Sequence, residues 1–289
     1  MNPRRYCEDD LGSIEKINMY CALSIRYHRD VKPENVLCVV GENGEIAGVG
    51  YLKPTQIEAD AKRVFEISTF VDNVSADGHG FAIEGILVDG FIRRANEMEL
   101  MEPGEDVRLR CFCEADEIDR MQLLMEKGFY PNAVIPVLKY DLHRETKHYQ
   151  IPDTVQIREL SFKDDEIAKY VSADLMTGES PQSRAEIRFK SGDPSFKCFI
   201  AVCNAEVVGA VSVWDISEER AATENIFVIE PYRRKNIARE LLATALDELK
   251  GRGKKIATLS VRGTNVPAIR LYLSCGYTLY YNLVEMVYG

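Results

Sequence analysis

The stretch "ENIFVIEPYRRKNIARELLATALDELK", Glu224 to Lys250, sets the architecture of its half of the chain. The run Asn225 to Ile229 has the composition of a buried strand. It meets a turn at "EPYRRKN" and then a segment whose Ile237, Leu241, Leu242, Ala245 and Leu246 share one helical face. Strand, tight turn and helix in that order present unpaired N–H groups and the positive end of the helix dipole at one point. That point is a ready anion site, and Arg233, Arg234 and Lys235 add charge around it.

Outward from this stretch the chain repeats itself. "KPENVLCVVGENGEIAGVGYL" (32–52) aligns without a gap on "DPSFKCFIAVCNAEVVGAVSVW" (193–214), with Pro33 on Pro194, Asn43 on Asn204, Glu45 on Glu206 and Gly48 on Gly209. Each copy is an apolar run, a short polar turn and a second apolar run, the pattern of a β-hairpin. "MEKGFYPNAVIPVLKYDL" (125–142) likewise matches "YLSCGYTLYYNLVEMVYG" (272–289): an amphipathic helix ends at Gly128 or Gly276, and an aromatic residue and a strand follow. The polar segment "HRETKHYQIPDT" (143–154) separates the copies, so the expected domains are 1–146 and 147–289. Each half then runs helix, hairpin, strand, helix, strand, helix, strand, a mixed α/β sheet domain built twice.

Composition bounds the function. With 289 residues, 46% hydrophobic and 28% charged, the chain is of ordinary globular type. The start, "MNPRRYCEDDLGSIEK", carries acidic residues where a signal peptide needs an apolar run, and no segment approaches the roughly 20 apolar residues of a membrane span. The expected location is the cytoplasm. Residues 1–150 hold 18 Lys and Arg against 27 Asp and Glu, or −9; the rest hold 18 against 19, or −1. A local basic cluster in a near-neutral half suits a small polyanion rather than a nucleic acid. The eight cysteines lie mostly in apolar runs with no CxxC pair, which predicts buried reduced thiols and no metal; Cys111 and Cys113 are spaced to share one face of a strand.

"YRRKNIARELL" resembles the pyrophosphate loop of the GCN5-related N-acetyltransferase (GNAT) family, whose pattern is Q/R-x-x-G-x-G/A; Arg233, Asn236 and Ala238 hold the marked positions. Ile226, Phe227 and Val228 resemble the family's strand that pairs with the pantetheine arm. "NVPAIRLYLSCGY" resembles its last motif, placing Asn265, Ala268, Tyr272 and Gly276. The motifs come in the family's order and cover most of residues 222–279. The resemblance implies two tandem GNAT-like domains, each a mixed, mostly antiparallel twisted sheet flanked by helices. It implies acetyl-CoA as donor, held by Ile226, Phe227, Val228, Arg233, Arg234, Lys235, Asn236, Ile237, Ala238, Asn265, Ala268 and Tyr272. The acetyl group passes by direct attack to an amine, a small molecule or a peptide, with no metal, nucleic acid or membrane involved, in a monomer or homodimer. Tyr272 is then the acid that protonates the leaving thiolate, and Glu224 matches the place of a base. All four histidines (28, 79, 143 and 148) lie at or before the linker, so a base in this half is a carboxylate or acts through water. Asn236 departs from the family's glycine; Asn tolerates positive φ, but its side chain would crowd a pyrophosphate. Cys275 has no base partner in the sequence and is expected to be inert.

In the first half, "SADGHGFAIEGILVDGFIRRA" keeps Gly80 and Ala82 at the marked positions, but Asp77 replaces the arginine and Leu124 stands where Tyr272 does. A degenerate copy is expected there. Two alternatives share the fold: a non-catalytic acyl-CoA-binding or regulatory protein, and a tandem acetyltransferase like mycothiol synthase. A third reading comes from "YHRDVKPENVL" (27–37), which matches a protein-kinase catalytic loop and predicts ATP and magnesium. With 26 residues before it, no Gly-rich loop, and no DFG or APE after it, the match is local; the repeat makes it the entry to the first hairpin.

Overall fold

The hairpins form where alternation and turn chemistry agree. In the second, Cys203 pairs with Glu206 across Asn204 and Ala205, both left-handed at φ 51° and 65°, which is the twist a two-residue connection requires. The computed structural model describes residues 3–27, 31–41, 44–55, 63–72, 79–102, 106–177 and 181–289. Asn43, Asp77 and the His28–Asp30 triplet of the kinase-like stretch lie outside them.

The first half contains β1 (Pro3–Arg5), α1 (Leu11–Ile17), α2 (Met19–Tyr27), β2 (Val36–Val40), β3 (Ile46–Pro54), β4 (Arg63–Val71), α3 (Gly80–Met101), β5 (Val107–Glu114), α4 (Ile118–Glu126) and β6 (Tyr130–Asp141). The second contains β7 (Val155–Glu159), α5 (Asp164–Leu175), α6 (Arg184–Lys190), β8 (Lys197–Cys203), β9 (Glu206–Asp215), β10 (Arg220–Val228), α7 (Ile237–Gly251), β11 (Ile256–Ser260), α8 (Val266–Ser274) and β12 (Thr278–Tyr288).

Two compact units result, and they do not follow a cut at 146/147. Unit 1 is Met1–Val134 with Leu283–Gly289; unit 2 is Ile135–Asn282. In unit 1 the strands run β1-β2-β3-β4-β5-β12, and in unit 2 β6-β11-β10-β9-β8-β7. Each sheet is antiparallel except for one parallel pair, β4 with β5 and β10 with β11. The last strand of each half joins the other half's sheet: Val137–Asp141 of β6 lie along β11, and Leu283–Tyr288 of β12 lie along β5. Local pattern fixes that a strand forms after Gly128 or Gly276 but not which open edge it takes.

The repeat-related glycines have a steric cause. A Cβ on Gly48 would meet Ile83 Cγ2 of α3 at 2.4 Å, and one on Gly209 would meet the Phe227 carbonyl oxygen at 2.8 Å. In both units a helix or strand lies hard against the hairpin there. Gly128 and Gly276 end α4 and α8 at φ 92° and 97°, with Phe129 N–H and Tyr277 N–H reaching back to the carbonyls of Leu124 and Tyr272.

In unit 2 the face Ile237, Leu241, Leu242, Ala245, Leu246 of α7 is buried against the sheet, as its periodicity predicts. In unit 1 the core joins Leu87, Phe91, Leu109, Cys111, Cys113 and, from the far end of the chain, Met286. Burial pushes the Cys111 thiol up to about 12 and Cys113 to about 11, so both are protonated fillers of that core. Asn35 of the kinase-like stretch is buried and accepts a hydrogen bond from Arg94 Nε at 3.0 Å, a structural role.

Because Met286 is fully buried in unit 1, Met286→Ala is expected to cost about 2–5 kcal/mol in urea unfolding. Hydrogen exchange should quicken in Leu109–Cys113 of β5; faster exchange in α8 instead would contradict this placement.

Candidate active site

The site begins at a fault in β10. Its pairing with β9 runs to Glu224 opposite Ser212, shifts register, and resumes at Phe227 opposite Ala210. Asn225 sits in the fault at φ 46°, held there by its amide: Nδ2 donates to Tyr170 Oη at 2.5 Å and Asp174 Oδ2 at 3.0 Å. On its other edge β10 pairs with β11 only over Arg220–Ala222. Beyond that point the parallel strands part and open a cleft of about 1420 Å³, lined on this side by Ile226, Phe227 and Val228.

At the cleft's edge the chain turns through Glu230–Tyr232 and enters α7. Arg234 and Asn236 both take left-handed φ, 64° and 59°, and no side chain caps α7. Alternating backbone of this kind gathers N–H groups into an anion-binding nest, and the uncapped helix adds its own. Asn236 lines the cleft, with its side chain engaged at both ends. Its Nδ2 donates to Gln150 O at 3.3 Å and its Oδ1 accepts from Arg239 Nη1 at 2.9 Å. Arg233 lines the cleft with Nε on the Val228 carbonyl at 2.9 Å. Arg234, Ile237 and Ala238 line it too, but Lys235 does not; its ammonium lies on the Pro231 carbonyl and over the Tyr232 ring. Arg239, Arg262 and Arg270 complete a set of five arginines on the wall. The sequence could have yielded Arg239, three residues after Asn236 and one helical turn along; Arg262 and Arg270 carry no local signal. A diphosphate fits this lining: nest, open helix end and guanidinium groups all favour negative charge.

The opposite wall is α8. Asn265 caps it, its Oδ1 accepting from Ala268 N at 3.2 Å, and both line the cleft. Tyr272 also lines it and is 7% exposed, its ring against Tyr277 at 6.0 Å between centroids. Tyr277 is buried against Tyr140 with its hydroxyl on Thr223 Oγ1 at 3.2 Å, so Tyr272 is held by packing from behind. Burial pushes the Cys275 thiol above its ordinary range, which suits an inert group. Glu224 is placed differently from the sequence-based expectation of a base at the cleft. Its Oε1 lies 2.5 Å from Lys190 Nζ, and it is not among the lining residues. Asp174 and Thr177, which the sequence reading did not single out, are.

Residues 160–277 match the family model described as "Acetyltransferase (GNAT) family". Unit 2 is a GNAT domain. A streptothricin acetyltransferase of Escherichia coli is 30% identical over 100 residues, covering 35% of this chain and 58% of that one. The chain thus spans little more than half of that relative. Two solved structures match nearly the whole chain in fold. A GCN5-related N-acetyltransferase from Sphaerobacter thermophilus has TM-score 0.73 at 19% identity, with 99% and 94% of the two chains covered. A tandem GNAT protein from the clavulanic acid biosynthesis pathway has TM-score 0.70 at 14% identity, with 99% and 97% covered. The chain therefore has the tandem GNAT fold, a mixed α/β sheet with helices in each unit. No described helix is long and apolar enough to cross a membrane.

Unit 1 builds the same parting of parallel strands and fills it. β4 pairs with β5 only over Arg63–Glu66. Beyond, Arg120 of α4 donates to Glu84 Oε1 at 2.8 Å and to the Phe112 carbonyl at 2.9 Å, and Thr69 Oγ1 donates to the same Glu84 oxygen. This half-buried ion pair ties α3, α4, β4 and β5 of the GNAT-like unit where unit 2 has its cleft. Leu124, at the position of Tyr272, is buried.

A strap ties His148 and Tyr149 to α7 in unit 2. His148 Nδ1 meets Glu240 Oε1 and its Nε2 meets Asp247 Oδ2, both at 2.8 Å, while Tyr149 N–H donates to Glu240 Oε2. The two carboxylates favour the imidazolium and raise His148 above its ordinary 6.5. A raised folded-state value means that the strap's contribution is complete below pH 6.5 and is lost as pH rises through the higher folded value. The melting-temperature advantage of the wild type over His148→Ala should shrink over that window; an advantage independent of pH would refute the charge.

Proposed function

We propose that this protein is an N-acetyltransferase whose unit 2 transfers an acetyl group from acetyl-CoA to an amine by direct attack. The observation that carries the reading is the convergence of three elements on one cleft: the strand edge freed at Ile226–Val228, the uncapped nest at Arg234 and Asn236, and the packed phenol of Tyr272. Acetyl-CoA, when bound, supplies a reactive thioester carbonyl and a thiolate leaving group. The chain's residues do the rest. Arg233, Arg234 and Arg239, with the N–H groups of the turn and of Ile237 and Ala238, bind the diphosphate. The freed backbone of Ile226, Phe227 and Val228 orients the arm by hydrogen bonds, and Asn265 and Ala268 close the far wall. Tyr272 holds a proton on Oη at neutral pH, as phenols do, and releases it to the leaving sulfur. Cys275, half-buried with its thiol raised above the ordinary range, supports attack on the donor without an acyl-enzyme.

Asn236 favoured a non-catalytic acyl-CoA-binding role when the sequence alone was considered. Its left-handed backbone and its side-chain bonds to Gln150 and Arg239 weigh against that argument. Acetyl-CoA should raise the melting temperature of the wild type, and absence of any rise would end the transferase reading. Tyr272→Phe should lower turnover by about 10²–10⁴-fold while leaving acetyl-CoA affinity nearly unchanged. Equal loss of both would contradict the acid role, and protection without thiol release from any amine would favour the binding-protein alternative.

A further inference from the structure

Asp174, near the end of α5, is 1% exposed yet lines the cleft together with Thr177 and Asn225. Its two oxygens differ. Oδ2 is fully engaged, accepting from Gln182 N–H at 2.8 Å and from Asn225 Nδ2 at 3.0 Å. Oδ1 is buried with no hydrogen-bond partner among the described residues. Buried carboxylate oxygens are almost always bonded, so one that is not, on the wall of a ligand cleft, points to a missing donor. Gln182 and Asn225 both hold Oδ2, so Oδ1 is the oxygen left to take a further donor. Asn225, bonded to Asp174, immediately precedes Ile226–Val228, so Asp174 lines the same cleft as the strand edge assigned above to the donor's arm.

We propose that Asp174 receives the acceptor: its Oδ1 binds the ammonium of a cationic primary amine and takes one proton from it. This rests on the transferase reading and names the substrate class and the base of the same site. An alkylamine is an ammonium ion at neutral pH and has no lone pair to attack with. Passing one proton to Asp174 Oδ1 leaves a neutral –NH2. The nitrogen lone pair then forms the C–N bond as the C–S bond breaks; Tyr272 Oη gives its proton to the sulfur, and the nitrogen's second proton restores the phenol. The products are an amide and a thiol, and Asp174 returns its proton to solvent. Desolvation raises the Asp174 carboxyl, which suits a group that must hold a proton for part of the cycle. Of the charged groups facing it, Glu186 acts in the same direction and Lys190 opposes. Glu224, engaged with Lys190 away from the lining, has no comparable access.

The test is Asp174→Asn, which keeps an oxygen for Gln182 and Asn225 and removes the base. With phenethylamine as acceptor, kcat/KM should fall about 100-fold or more; with benzohydrazide, whose nitrogen is already neutral at pH 7.5, it should fall less than about fivefold. Acetyl-CoA should raise the melting temperature of variant and wild type equally. Equal losses for amine and hydrazide, or no loss for either, would overturn the assignment while leaving the transferase reading intact; loss of acetyl-CoA protection in the wild type would instead overturn the transferase reading. Should the variant not fold, or should the wild type turn over neither probe, wild-type crystals soaked with phenethylamine decide the matter. A nitrogen within hydrogen-bond distance of Asp174 Oδ1 supports the proposal, and phenethylamine bound elsewhere or not at all overturns it.

Discussion

Everything in unit 2 depends on one backbone constraint, the left-handed Asn225 that breaks the ladder between β10 and β9. A non-glycine residue at φ 46° is held by its surroundings rather than by preference, and here the holders are Tyr170 and Asp174 of α5. β10 is already free of β11 beyond Ala222, and the fault sets how its last positions, Ile226 to Val228, line the gap. The edge thus freed is long enough to pair with an extended ligand arm and ends at the nest before α7. Gly209 belongs to the same device, since any side chain there would strike the Phe227 carbonyl that the fault brings close.

Much of this was legible from local pattern. The apolar face of α7, the hairpins, the glycines that end α4 and α8, and the anion site before Ile237 are all set by neighbours within a few residues of one another. What was not legible depends on distant partners. The motif counts Arg233, Arg234 and Lys235 alike as phosphate cations, yet the left-handed turn at Arg234 sends Lys235 back onto Pro231, and Arg239 stands on the wall instead. Glu224 had the right address on the strand but met Lys190, 34 positions earlier, on α6. Asp174 offered no signal at all, because an aspartate near the end of an amphipathic helix is ordinary until Asn225 and Gln182 are seen to close around it.

The two units show one fold with two uses for the same gap. In unit 2 it is lined by five arginines and stays open. In unit 1 Arg120 and Glu84 span it, satisfying each other and a strand carbonyl. A half-buried pair of this kind gains little stability over apolar packing, but removing one partner leaves a stranded charge. Such a plug is easier to keep than to lose one residue at a time.

The placement of Leu283–Tyr288 along β5 has a consequence for how the molecule comes into being. A nascent chain emerging from the ribosome presents β1 to β5 early, but the edge of β5 has no mate and the core around Leu109 no Met286 until some 170 further residues have been made. Closing that unit joins residues some 170 positions apart, a high contact order that slows the search and leaves a bare strand edge exposed meanwhile. Translation speed and chaperone access thereby become part of what decides the yield of the first unit, although every other piece of it was synthesised long before.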